Sequence, residues 1–244
     1  MINSFRYQCA VVLGLLKMAL NRPKCNKLLK SGDMSAHDDY ANAVVNKWGK
    51  SCIKNSGADM EISGLENVPT DRPVLFVANH QSNYDILVLC GLLKCNKGFV
   101  AKQELGKIPQ LGYWMVHTHC LFMDRNDMKQ SMQTIIQAYE QLKNGYSMII
   151  FPEGTRSKGG PVKEFKAGSF KPAIKAKVPV VPITLDGTFK VIDGDKDKFD
   201  GTDKVQVIVH PPIETADLSK EEIKELPSRV QKLIVDSMKY TKNN

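Results

Sequence analysis

From residue 58 onward the chain alternates short apolar, β-branched segments with helical patterns, and this alternation constrains the fold more than any other feature of the sequence. It favours an α/β fold in which a mostly parallel central sheet is flanked by helices on both faces. At 244 residues the chain is long enough for one such domain with a small appendage. Strands are predicted at 60–62, 74–78, 99–101, 120–123, 147–151, 178–185 and 205–209, and helices at about 83–93, 109–117, 127–143 and 168–177.

Two of the helical patterns carry more detailed predictions. The helix over 127–143 has one apolar face, and its methionines Met128 and Met132 are predicted to be core residues. Near the carboxyl terminus, Ser219-Lys-Glu-Glu222 matches a capping box, and Pro227 is predicted to open the final helix.

The amino-terminal segment predicts an N-terminal two-helix membrane-associating motif over residues 1–55, ahead of an α/β domain over 56–244. Helical patterns cover 2–20 and 35–54, and Arg22-Pro23 and Ser31-Gly32-Asp33 break the chain between them. The first thirty residues contain six Lys or Arg residues and no acidic residue. Such a basic, amphipathic segment is typical of an anionic membrane surface. Packing against the main domain explains the apolar stripe of the second helix equally well.

The net charge and the length of the apolar run near the amino terminus limit the partners and the location that the sequence predicts. A net charge of +8 favours anionic partners, but the nucleic-acid-binding motifs are missing, so no nucleic-acid partner is predicted. The apolar run over 7–16 is about half the ~20 residues that a membrane-spanning helix needs. We therefore expect a peripheral or monotopic protein on the cytoplasmic face of the cell membrane.

The sequence predicts no metal site and no cofactor. Six scattered cysteines without Cys-x-x-Cys spacing indicate reduced thiols. His117, His119 and Cys120 have no further ligand at a recognised spacing, so packing of a strand is the preferred interpretation. Residues 193–204 begin like a calcium loop, but Lys198 and Lys204 replace the glycine and glutamate that such a loop requires, which leaves a charged turn.

The first chemical motif follows the predicted strand at 74–78. Asn79-His80 leaves the strand, and Asp85 falls in the first turn of the next helix. Parallel sheets place their sites at such strand ends. A carboxylate there can fix the tautomer of the imidazole and leave its second nitrogen free to accept a proton. A helix cap beside an incidental histidine is the alternative for this segment taken alone.

The second motif is Phe151-Pro-Glu153-Gly154-Thr155-Arg156-Ser157, again where an apolar strand breaks into a polar loop. Glycine permits close approach of the backbone to a ligand, arginine offers a planar fork that matches phosphate, and the hydroxyls add donors. This composition predicts an anion-binding loop. A charged surface turn would account for Lys158-Gly-Gly160 but not for the ordered residues before it.

Together these motifs resemble the glycerolipid acyltransferases, most closely the bacterial-type 1-acyl-sn-glycerol-3-phosphate acyltransferases. Glu153 follows His80 by 73 positions, and two lesser blocks lie in the family's order, over 122–125 and 178–183. The resemblance covers about residues 58–213. It implies acyl transfer from acyl-ACP or acyl-CoA to the free hydroxyl of lysophosphatidic acid, which yields phosphatidic acid without a protein nucleophile.

The resemblance also implies a role for each motif residue. His80 and Asp85 would be catalytic, and Asn79 would position the transition state together with backbone amides of residues 81–83. The phosphate-binding residues would be Glu153, Gly154, Thr155 and Arg156, with Arg125 and Lys102 in support. Three alternatives stay open: another lysolipid or glycerol-phosphate acceptor, a His/Asp thioesterase or hydrolase, and a non-catalytic headgroup-binding module.

Overall fold

The computed structural model describes residues 2–124, 126–192 and 203–241, and it confirms an α/β fold with a mostly parallel sheet. The strands within these residues are β1 (Asp59–Ser63), β2 (Leu75–Ala78), β3 (Lys97–Lys102), β4 (Leu121–Met123), β5 (Ser147–Ile150), β6 (Val180–Asp186) and β7 (Lys204–Val209). They form one sheet in the order β1-β7-β6-β2-β5-β3-β4. Every neighbouring pair is parallel except β6 and β7, which are antiparallel.

Helices precede, connect and follow these strands. They are α1 (Ile2–Ala19), α2 (Arg22–Ser31), α3 (Met34–Ser56), α4 (Tyr84–Leu92), α5 (Pro109–His117), α6 (Met128–Lys143), α7 (Lys171–Ala176), α8 (Thr188–Ile192) and α9 (Lys220–Ser237). The calcium-like segment considered above falls largely on residues 193–202, outside the described residues.

Helix α2 was not predicted, so three helices rather than two precede β1. Arg22-Pro23 begins this helix instead of breaking the chain, because proline is well suited to the first turn, where its missing N–H loses no hydrogen bond. Gly32 then ends it with φ at 76°, a left-handed conformation that glycine adopts without strain.

The prediction that Pro227 opens the last helix is wrong. Helix α9 begins seven residues earlier, at the Ser219 capping box, in which both reciprocal hydrogen bonds are formed. Proline removes one backbone hydrogen bond from a helix interior. Here Leu226, Val230 and Ile234 are fully or almost fully buried against the sheet, and this packing holds the helix together through the proline.

The sheet is covered on both faces, as its apolar central strands require. Alternate residues of β2 point to opposite sides. Phe76 and Ala78 face the core shared with α1, α3 and α4, whereas Leu75 and Val77 face the core shared with α6, α7 and α9.

Helix α3 packs its apolar stripe on the α/β domain, as one of the two interpretations left open for it predicts. Trp48 and Cys52 are buried, and a Cβ atom added to Gly49 would lie 2.5 Å from the backbone nitrogen of Gly91 on α4. The two helices therefore approach each other closely through a pair of glycines. This contact leaves α3 little apolar surface to offer a membrane.

Helix α1 differs from α3 because it keeps an apolar face exposed. Val12, Leu13 and Leu16 on this helix are 51–61% exposed, and Leu20, in the turn directly after it, is 81% exposed. None of the helices in the described part of the chain has the length and hydropathy needed to cross a bilayer.

The prediction that Met128 and Met132 are core residues is wrong: the two residues are 86% and 62% exposed. Helix α6 instead buries Thr134, Ala138 and Leu142. Periodicity identifies an apolar face of a helix, but it does not say whether another element covers that face.

The prediction that the His117–Cys120 segment packs as a strand is wrong. His117 ends α5, His119 has φ at 58°, and β4 begins only at Leu121. The imidazoles of His117 and His119 therefore belong to a turn between a helix and a strand, where neither ring follows the alternation of a β-strand.

Candidate active site

Three neighbouring parallel strands, β6, β2 and β5, end at the same edge of the sheet. The loops that follow them bring together Asn79–Asn83, Phe151–Lys158 and the Gly187-Thr188 turn. Carboxyl ends of parallel strands are the usual location of sites in open α/β sheets. Both predicted motifs thus lie at one edge, on adjacent strands.

The His80 and Asp85 side chains form the hydrogen-bonded pair that the sequence predicted. His80 Nδ1 lies 2.7 Å from Asp85 Oδ2, and the two residues are 7% and 0% exposed. A carboxylate can only accept, so Nδ1 donates and Nε2 carries the lone pair. This is the tautomer that a general base needs.

The Asp85 carboxylate has three further donors. The backbone amides of Gln81 and Ser82 donate to Oδ2 at 2.7 and 2.9 Å, and the Thr188 hydroxyl donates to Oδ1. The first two amides belong to the 81–83 turn considered above as a source of oxyanion donors, and here they hold the carboxylate instead. Four donors fix both oxygens of Asp85 and, through them, the imidazole ring.

Sequence reasoning missed the supporting residues Thr188 and Asp186. The Gln81 Oε1 atom accepts from the Thr188 backbone amide at 3.1 Å. Asp186 is fully buried and accepts from the backbone amides of Lys239 and Tyr240, and its Oδ1 also accepts from the Gln81 side-chain Nε2 at 3.4 Å. The sequence did contain a signal for these two residues, because Asp186-Gly-Thr188 directly follows the apolar strand predicted at 178–185, at a strand end where sites are usual.

Glu153 links the two motif loops through the backbone. Its Oε1 accepts from the His80 amide at 2.7 Å and its Oε2 from the Lys163 amide at 3.0 Å. Burial raises the pKa of this carboxyl above its usual value. Both oxygens are thus bound to protein amides, and the side chain is 4% exposed.

The Phe151 ring packs flat against the imidazole of His80, with ring centroids 4.1 Å apart and an interplanar angle of 18°. Phe151 also borders a cavity of about 330 Å³ between the sheet edge and α6. Most of the lining is apolar, but it also includes the cationic side chains of Lys166 and Lys171. The lining includes Val100, Met123, Met128, Met132, Ile135, Ile150, Pro152, Gly154, Lys166 and Lys171.

The loop after Phe151 is held against the histidine segment. The Ser157 amide donates to the His80 carbonyl at 2.8 Å, and the Lys158 amide donates to the Gln81 carbonyl at 3.1 Å. Arg156 is half-buried in this loop and Thr155 is exposed. The Ser157 hydroxyl is buried and has no hydrogen-bond partner among the described residues.

Gly154 takes φ at 70°, and a Cβ atom added there would lie 3.0 Å from Lys166 Nζ. A side chain at this position would be strained and would also crowd the ammonium group. The glycine thus allows a cation to approach the loop backbone. Lys166 was not among the predicted site residues.

The remaining predicted site residues are Asn79, Lys102 and Arg125. Asn79 is fully buried. Its Nδ2 donates to the Leu185 carbonyl at 2.7 Å, and its Oδ1 accepts from the Leu185 backbone amide at 2.8 Å. Lys102 ends β3 in an exposed ion pair with Glu104, at 2.9 Å. Arg125 lies outside the described residues.

Comparison with known proteins agrees with these motifs. The family model described as Acyltransferase matches residues 59–186. A 1-acyl-sn-glycerol-3-phosphate acyltransferase of Borreliella burgdorferi is 30% identical over 197 residues, which cover 79% of this chain and 78% of that protein. The chloroplastic 1-acyl-sn-glycerol-3-phosphate acyltransferase LPAT1 from Arabidopsis thaliana is 41% identical over 155 residues, which cover 63% of this chain. The chain spans under half the length of that relative, 43%.

A solved structure is similar along nearly the whole chain. The crystal structure of the 1-acyl-sn-glycerophosphate acyltransferase PlsC from Thermotoga maritima matches with a TM-score of 0.73 and 30% identity, covering 95% of this chain and 94% of that one. The family match covers both motif loops and the β6 strand end. The chain therefore belongs to the acyltransferase family.

Proposed function

We propose that this protein transfers a fatty acyl group from an acyl thioester, acyl-CoA or acyl-ACP, to the free hydroxyl of 1-acyl-sn-glycerol 3-phosphate, giving phosphatidic acid. The observation that carries the proposal is the buried His80–Asp85 pair, with Nδ1 and Oδ2 2.7 Å apart, beside the loop that contains Arg156. Relatives bearing this activity in their names support it.

In the proposed reaction His80 Nε2 takes the proton of the acceptor hydroxyl as its oxygen forms a bond to the thioester carbonyl carbon. Asp85 stabilises the imidazolium that results. Collapse of the tetrahedral intermediate breaks the carbon–sulfur bond, and the imidazolium returns its proton to the leaving thiolate. Holding both substrates at one strand edge makes this step effectively unimolecular.

The phosphate of the acceptor would bind to the 154–157 loop. Arg156 supplies a guanidinium that suits phosphate geometry, and Gly154 exposes the loop backbone beside Lys166 Nζ. The unpartnered Ser157 hydroxyl is a further donor, because a buried hydroxyl without a partner is costly unless a ligand satisfies it. Thr155, Lys102 and Arg125 stay secondary candidates.

Glu153 and Asn79 act in this proposal as positioning residues. Each uses its side chain to bind backbone atoms of a neighbouring loop or strand: Glu153 joins the two motif loops, and Asn79 joins β2 to β6. An ionised carboxylate would also repel a phosphate, so Glu153 supports the phosphate loop from behind.

An acyl chain would enter the cavity beside Phe151. This cavity is apolar along α6 and the sheet edge, and the stacked Phe151 ring connects it to the histidine. The exposed Met128 and Met132 side chains line it, and unbranched, flexible residues suit a mobile alkyl chain.

A hydrolase or a binding module would use the same groups differently, and one assay separates the three. Purified protein is given acyl-CoA or acyl-ACP with acceptors that carry or lack the phosphate, and His80→Ala is compared with wild type. Acyl transfer restricted to phosphorylated acceptors and abolished in His80→Ala is expected. Full activity of folded His80→Ala, or thioester hydrolysis without transfer, would refute the proposal.

We further propose that α1 brings the enzyme to an anionic membrane on the cytoplasmic face. The exposed Val12, Leu13 and Leu16 of α1, and Leu20 in the turn directly after it, would enter the interface while Lys17 meets the headgroups. Co-sedimentation with vesicles that contain anionic lipid should fall when Leu16 and Leu20 are both changed to serine. The matched control changes exposed Ile62 and Leu65 to serine. Equal binding by both double variants would contradict α1 as the contact.

A further inference from the structure

Three side chains with metal-binding atoms meet away from the motif loops. They are Cys25 on α2, His37 on α3 and His117 at the end of α5, and their ligand atoms all lie within 4.8 Å of one another. Cys25 and His37 are buried, and His117 is half-buried. None of the three takes part in the proposed reaction. Because they are 12 and 80 residues apart, no sequence spacing could have indicated the cluster.

The two imidazoles face each other with defined ring nitrogens. His37 Nε2 lies 2.8 Å from His117 Nδ1, and His37 Nδ1 lies 2.8 Å from Asp38 Oδ1. The carboxylate accepts from Nδ1 and so leaves the lone pair of His37 on Nε2, the atom that faces the cluster. A carboxylate behind a ligating histidine is the usual second layer of a zinc site.

Asp38 is itself fixed by groups from other parts of the fold. His119 Nε2 lies 2.9 Å from Oδ1, and the Tyr146 hydroxyl donates to Oδ2 at 2.8 Å. Asp38 is 3% exposed, so these partners rather than water orient it. The cluster therefore has a rigid support on the side away from the thiol.

A negative charge beside the cluster suits a cation. The Asp38 carboxylate supplies a negative charge next to the histidines.

We propose that Cys25 Sγ, His37 Nε2 and His117 Nδ1 bind one thiophilic divalent cation such as Zn²⁺. Thiolate and imidazole are the ligands that zinc prefers, and the fourth tetrahedral position is left to solvent. With zinc–nitrogen distances of about 2.0–2.1 Å, the two ring nitrogens must move apart by only about 0.5 Å. Without metal, His117 Nδ1 donates to His37 Nε2; on metal binding this proton shifts to His117 Nε2, and the Cys25 thiol releases its proton to solvent. The ion would join α2, α3 and α5, and so fasten the amino-terminal helices to the α/β domain.

The test uses the full chain, freed of metal by a chelator and then titrated with Zn²⁺ or Co²⁺. One equivalent of Zn²⁺ should bind and raise Tm by about 5–10 °C at a free concentration one hundred times Kd. Co²⁺ should give a thiolate-to-metal charge-transfer band. Cys25→Ser and His117→Gln should each weaken Zn²⁺ binding at least tenfold.

Two matched variants serve as controls, Cys95→Ser and His210→Gln, which change a thiol and an imidazole outside the cluster. Both should bind Zn²⁺ as wild type does. Circular dichroism of the metal-free variants checks their fold. Zinc X-ray absorption of the wild-type protein gives an independent answer, with one sulfur and two imidazole ligands expected. A shell without sulfur, no stoichiometric binding, or unchanged affinity in both folded cluster variants would overturn the proposal and leave a hydrogen-bond network only.

Discussion

The two motif loops differ in how far the protein satisfies their polar groups. In the loop after β2 and the first turn of α4, the side chains of Asn79, His80, Ser82 and Asp85 are all buried and bonded to protein groups. In the loop after β5, Thr155 is exposed and the Ser157 hydroxyl has no partner among the described residues. In the proposed reaction the first loop is preorganised for proton transfer, and the second offers donors to the acceptor phosphate. Changes in the first should therefore affect kcat, and changes in the second KM.

Asp85→Asn should have the largest effect, with kcat reduced about 10²–10⁴-fold. The amide can donate to Nδ1 and would stabilise the wrong tautomer of His80, while the volume of the side chain is unchanged. Steady-state kinetics with a phosphorylated acceptor measures this. A kcat within threefold of wild type would show that the pair does not work as a general base.

Arg156→Ala should raise KM for a phosphorylated acceptor about 10–100-fold, because a hydrogen-bonded charge pair to phosphate contributes about 1.5–3 kcal/mol. The kcat value should change far less. Arg229→Ala, which removes an exposed arginine on α9, is the control and should leave KM unchanged. Equal effects on phosphorylated and unphosphorylated acceptors would contradict the assignment of the loop.

Thr188→Val should reduce kcat about tenfold with KM unaltered, because it removes the hydroxyl that donates to Asp85 Oδ1 but keeps the shape of the side chain. Thr188→Ser should restore most of the activity. A purely structural role predicts instead that both variants lose activity in proportion to their loss of Tm, which thermal denaturation would reveal.

The smallest predicted effect is on stability and concerns His210, which lies outside both loops. Its Nε2 lies 2.8 Å from the Thr184 hydroxyl. Burial lowers the pKa of this imidazole in the folded state. The unfolded state therefore binds a proton first as pH falls below about 6.5, and the free energy of unfolding decreases until folded His210 is also protonated. His210→Gln should flatten Tm between pH 7 and this lower pKa without changing kcat. An unaltered pH profile of Tm would exclude the effect.

Much of the fold followed from local patterns, and the errors have a common origin. Strand–helix alternation predicted the mostly parallel sheet, but the final helix was predicted to begin at Pro227, although the Ser219 capping box marks its true start. The exposed Met128 and Met132 and the packing of α3 depended on which element lies against each helix. Periodicity carries no information on that partner.

The sequence by itself determined which residues form the candidate site, because His80, Asp85 and Arg156 lie next to the ends of apolar strands along the chain. Only the tertiary structure decided their support, since the Thr188 hydroxyl reaches Asp85 across 103 residues and Glu153 reaches the His80 amide across 73. The Cys25, His37 and His117 cluster likewise exists only once three helices pack together. Hydrogen bonds and ligand sets act over a few ångströms, and folding alone brings such distant positions within that range.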